Sequence, residues 1–226
     1  MDIYLYGAHE SNWLMVAKDF GGVVLGALLA YTAASLSERR KEKSIRLVDA
    51  NILSIKFMNI VDGIFKFDRQ MISGMMKAKV AGVDGPVWTM LESISGVRDY
   101  SINISADEMR ILAAHGEFEL IISIFELKDG HNGIVSALGD IYELREKMHN
   151  IFPPIALEGS VATYQGDLPP GAFPLLVNLD TLSASLLDSL SGLKGQAREV
   201  APKLHAALKS IVKSSKFPLV TIPEEP

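Results

Sequence analysis

The chain has 226 residues, a net charge of −5, 48% hydrophobic residues and no cysteine. That length suits one ordinary domain with extra segments, and the apolar share suffices for a packed core. The lack of cysteine excludes disulfides, Cys-ligated zinc, iron–sulfur clusters and thiol nucleophiles, and the acidic balance argues against a general nucleic-acid binder.

Residues 1–12 read as a short tail with Asp2 and Glu10 but no Lys or Arg. From Phe20 to Leu36 come 17 uncharged residues. That is the lower limit for crossing a hydrocarbon core about 30 Å thick. Trp13, Leu14, Met15 and Val16 extend the run, with Asn12 as a cap, so a transmembrane helix is expected over 13–36. Lys18 then snorkels to the headgroups, and Trp13 and Tyr31 lie towards opposite interfaces. A buried core helix is the competing reading, because the uncharged run is short. A cleaved signal peptide lacks its basic start, since the first 17 residues hold no Lys or Arg. An interfacial helix would need a polar face.

Arg39, Arg40, Lys41, Lys43 and Arg46 follow the span at once. The positive-inside rule puts this flank in the cytoplasm and the N-terminus outside, as for an inner-membrane protein. The same cations suit anionic lipid headgroups, although a topology signal is the plainer reading. Within the span Gly22, Gly26, Ala30 and Ala34 recur every four residues. Such a small-residue stripe lets a second helix approach closely, so self-association through the span is expected. Trp13, Lys18-Asp19-Phe20 and the run Glu38 to Lys43 together resemble a common bacterial signal-anchor. The resemblance covers about the first 45 residues and implies an anchor, with no activity attached.

Helical spacing continues to about Val80, with Ile45, Val48, Ile52 and Ile55 in a 3-4 rhythm. Residues 37–82 therefore read as a basic juxtamembrane segment and one long helix, slightly weakened by Gly63 and Gly74. The remainder, 83–226, reads as a cytoplasmic helical domain. Ala81 to Pro86 is a turn, Val87 to Ser95 a short helix, and Val97 to Ser105 an extended piece. Ser105-Ala-Asp-Glu108 is a capping box that starts a helix ending near Gly116. The next helix spans Glu117 to Asn150, with the stripe Leu127, His131, Ile134, Leu138, Ile141 and Met148. Residues 153–174 form a Pro/Gly-rich loop. Two helices are expected after it, one through Leu179 to Leu193 and one through Val200 to Ile211 with Pro202 near its start. Residues 217–226 form an extended tail. The fold class is all-α, a bundle entered by the long helix.

Candidate chemistry is sparse. Arg110-x-x-x-x-His115 resembles the R-x(4–6)-H pattern of HEPN ribonucleases, an all-helical family. There the Arg would stabilise phosphate charge and the His act as acid or base, usually across a dimer. Ile111 stands where that family favours a polar residue, and a solvated Arg and His is the default. Glu146-x-x-His149 is half of a di-iron motif whose other half is missing. His131 lies on an apolar stripe, as a buried pH-sensitive group or a satisfied core residue. No phosphate-binding loop, dinucleotide fingerprint, nucleophile elbow or H-E-x-x-H occurs. No cofactor, metal or DNA partner is expected, and no reaction can be named. The expected role is a membrane-anchored protein that self-associates, as scaffold, sensor partner or pore-type effector. The alternatives are an anchored HEPN-like ribonuclease and a soluble helical adaptor with residues 20–36 in its core.

Overall fold

The computed structural model describes residues 11–82, 85–91, 100–152, 157–158, 161–162, 168–213, 217–218 and 222. The side chains of 11–24, 157–158 and 161–162 lie outside that description. The chain divides into two units, Met1–Val48 and Asp49–Pro226.

Helix α1 runs from Ser11 to Val80 over 70 residues. The first proline is Pro86, so nothing removes an N–H from the ladder before then. Lys77 and Lys79 place positive charge on its last turn. Gly82, at φ +72, ends it in the left-handed region that a Cβ disfavours. In the first unit Leu25, Leu28, Leu29, Tyr31 and Leu36 are all exposed. Among the described residues, no helix is long and apolar enough to cross a membrane. The side chains of the first part of the expected span, residues 13–24 with Trp13 and Gly22 among them, lie outside the described ones.

The second unit is a three-helix bundle. Its members are the α1 residues from Asp49 onward, α4 (Phe118–Ile151) and α5 (Ala172–Val212). Contacts fix their directions. Glu126 of α4 meets Gln196 of α5, and Gly130 meets Leu193, so the two run antiparallel. Asp68 of α1 meets Lys194, and Arg198 lies over the Phe65 ring. Helix α5 is therefore antiparallel to α1 as well. The core is built from Leu53, Phe57, Ile60 and Ile64 of α1, Ile124, Leu127, Leu138 and Ile141 of α4, and Leu190, Leu204 and Leu208 of α5. The 3.6-residue spacing of these positions turns them inward. Each fully buried Leu, Ile or Phe contributes about 1.5–3 kcal/mol.

The crossover from α1 to α4 returns along the bundle. Helix α2 spans Val87–Met90 only, against the expected Val87 to Ser95. The Leu91 carbonyl beyond it accepts from Arg145 Nη1 at 2.7 Å, and residues 92–99 lie outside the described ones. The Ser105–Glu108 capping box forms as the sequence implies. Ser105 N–H donates to Glu108 Oε2 at 2.8 Å, and Glu108 N–H donates to Ser105 Oγ at 3.4 Å. It heads a tight turn and then α3, Arg110–Ala113, which is only four residues long. Gly116 at φ +78 releases the chain into α4.

Two expectations change at the C-terminal end. The long connection holds a two-residue antiparallel ladder, Leu157–Glu158 (β1) with Val161–Ala162 (β2). Helix α5 already starts at Ala172, and Pro174 fits its first turn because the N–H there needs no helical partner. The two closing helices are one helix of 41 residues with Pro202 inside it. Leu190, Ala197, Val200 and Leu204 are buried on both sides of the expected break. That burial outweighs the roughly 3 kcal/mol cost of an interior proline and about 1 kcal/mol for each of Gly192 and Gly195. Of the expected tail only Phe217, Pro218 and Ile222 are described, and Phe217 is buried.

Candidate functional site

The apolar and basic stretch of α1 is the first candidate. Gly26, Ala30 and Ala34 are exposed, and a Cβ added at Gly26 would meet nothing within 4 Å. Tyr31 is the most exposed large side chain here, at 74%. Arg39, Arg40, Lys41, Lys43 and Arg46 are all exposed. Arg46 makes a one-turn ion pair with Glu42 at 3.6 Å, which at that exposure contributes little.

Arg110 and His115 are each committed elsewhere. The Arg110 guanidinium lies 3.6 Å from Asp49 on α1. His115 Nδ1 lies 2.9 Å from the Ile111 carbonyl of its own turn. Ile111, the departure from the ribonuclease pattern, is buried in the core. Both side chains are on the surface of the unit, and among the described residues no contact joins them into a phosphate site. Glu146 and His149 are exposed as well. Among the described residues no three His, Asp or Glu side chains are grouped to hold a metal ion. No protein-family model, curated protein or solved structure matches the chain.

A buried polar arrangement surrounds His131, which is 1% exposed. Its ring lies 5.9 Å from that of Phe67, centroid to centroid. Nδ1 stands 3.3 Å from Asn132 Oδ1. That oxygen also accepts from Ile102 N–H at 2.9 Å, while Asn132 Nδ2 donates to the Ile102 carbonyl at 2.9 Å. The Asn132 side chain thus replaces a partner strand for the extended segment at Ile102. With Oδ1 accepting, we assign the proton to Nδ1, which leaves Nε2 a bare acceptor. Nε2 is buried, has no partner and faces Gly63 of α1. Burial pushes the imidazole below its ordinary range, opposed by its hydrogen bond to Asn132. A ring so enclosed reaches no substrate, and its work is to join α1, α4 and the crossover segment.

Three features escaped the sequence reading. Asn132 carries its signal only in being polar beside His131. Gly63 reads as a weak point of α1, yet it is the gap that admits the imidazole. The Asp68–Lys194 pair, 2.6 Å apart and about 85% buried, joins residues 126 apart in sequence, which no local pattern reveals. An open groove of about 510 Å³ also lies between α4 and α5, lined by Gly130, Gly133, Ala137, Ser185, Ser189 and Gly192 among others, with no charged side chain in its wall.

Proposed function

We propose that this chain is a single-pass membrane protein that self-associates through its N-terminal helix and holds a non-enzymatic helical bundle at the cytoplasmic face. The observation that carries the reading is one stretch of α1. Leu25, Leu28, Leu29, Tyr31 and Leu36 are exposed on one helix, directly before five Lys and Arg side chains. An apolar surface of that extent needs a cover, and a bilayer flanked by a basic run supplies one. The stripe Gly22, Gly26, Ala30 and Ala34 supports helix–helix contact within the bilayer. The resulting assembly acts as a scaffold, a sensor partner or a pore-type effector.

The test is fractionation followed by mass measurement. The protein remains in carbonate-washed membranes and extracts into mild detergent at a multiple of the chain mass. Recovery in the carbonate wash refutes the anchor, and a monomeric mass that persists in bilayers refutes the assembly. Protease access to each end checks the orientation. The pore version further requires membrane leakage on overexpression that disappears when Gly22 and Gly26 are changed together to Ile.

A further inference from the structure

We infer that copies of this chain also join in parallel outside the span, along an α1 seam made by Ile45, Val48, Ile52 and Ile55. These four are 47%, 52%, 41% and 61% exposed. On the other side of the same helix Ala50, Leu53 and Phe57 are fully buried in the bundle. Spacings of three, four and three residues are those of core positions a and d of a heptad. Ile45 and Ile52 then take a, and Val48 and Ile55 take d. Ala50 and Phe57 take f, the position facing away from a coiled-coil partner. The helix therefore presents one apolar face to its own bundle and a second to solvent. The seam is bounded, because the neighbouring core positions Lys41 and Asn59 are polar.

A second copy of the chain is the occupant that matches this face. A seam of a and d residues is complementary to itself under parallel symmetry. Its flanks agree. Ser44 and Asn51 at g are uncharged, so parallel g–e contacts never set like charges together. At e, Asp49 is held by Arg110 and Lys56 by Glu108. An antiparallel pair would instead bring the two Asp49 carboxylates against each other. Four half-exposed side chains fall short of the roughly 1,000 Å² that a stable interface buries. The seam thus rests on the self-association proposed above, which makes this second contact intramolecular and raises its effective concentration.

The chain has no cysteine, so single-cysteine variants of the whole 226-residue chain report the seam directly. In lipid vesicles under mild oxidation, Ile52→Cys and Val48→Cys each cross-link to themselves severalfold faster than Lys43→Cys, which lies at f. Circular dichroism confirms that each variant stays helical. If Ile52→Cys cross-links no faster than Lys43→Cys while the extracted mass is multimeric, the seam is wrong and self-association stands. A monomeric mass overturns both.

Discussion

Replacing Gly63 by Ala tests a close fit between α1 and α4 in the bundle. In an isolated helix the change would stabilise, because Ala is favoured over Gly by about 1 kcal/mol in a helix interior. Here an ideal Cβ would stand 2.4 Å from His131 Nε2 and 2.9 Å from Cδ2, against an ordinary contact of 3.4 Å or more. The ring has little room to withdraw. It is buried at 1% exposure, packs near Phe67 and is tied to Asn132, which itself clamps Ile102. Overpacking a core costs about 1–3 kcal/mol, and an overlap near 1 Å with a pinned ring belongs at the upper end. About 3 kcal/mol of strain less about 1 kcal/mol of helix propensity leaves a net loss of about 2 kcal/mol. In a His131→Ala background the overlap is gone, so the same Gly63→Ala change stabilises by about 1 kcal/mol. The coupling between the two sites is therefore about 3 kcal/mol, well above the error of a double-mutant cycle. Guanidinium unfolding followed by circular dichroism measures all four corners. A raised midpoint for Gly63→Ala in the parent chain would refute the reasoning.

Further predictions rest on separate features. The buried His131 imidazole has a lowered pKa, so the unfolded chain takes up a proton near pH 6.5 while the folded chain does not. Its contribution is thus fully present above about pH 6.5 and is lost as the pH falls towards the depressed folded pKa, with a slope of at most about 1.4 kcal/mol per pH unit. His131→Gln should flatten the acid side of the stability profile, and an unchanged slope would contradict this origin. Asp68→Ala removes a mostly buried ion pair at 2.6 Å and should cost about 1.5–3 kcal/mol. Asp49→Ala, which loses an exposed pair at 3.6 Å, should cost under about 1 kcal/mol. Equal midpoints for the two variants would reject the role given to burial. Lys213 closes α5 at φ +51, where a Cβ is strained, so Lys213→Gly should stabilise by about 1 kcal/mol. A lowered melting temperature for that variant would show that the Lys213 side chain outweighs the strain.

What the amino-acid order reveals follows the range of the interaction that decides each element. Periodicity and caps act within a turn or two. The long α1, the Ser105–Glu108 box and the α4 stripe with His131 inside are accordingly legible. The joined α5 is not legible, because Gly192, Gly195 and Pro202 are local penalties overruled by burial against two other helices. The same holds for the candidate sites. The basic run and the apolar stretch of α1 are contiguous in sequence and can be read there. The His131 centre depends on Gly63, Phe67, Ile102 and Asn132, which come together only through the bundle. The seam at Ile45, Val48, Ile52 and Ile55 lies between these cases. Its rhythm is local, but a heptad run also describes a helix face buried in its own domain. Only the burial of Ala50, Leu53 and Phe57 on the other side separates the two meanings. A helix whose inner face is already filled, and which still carries β-branched residues at four consecutive a and d positions facing outward, has an apolar seam its own bundle does not use. A further copy of the same helix would supply the matching knobs and holes of the proposed seam.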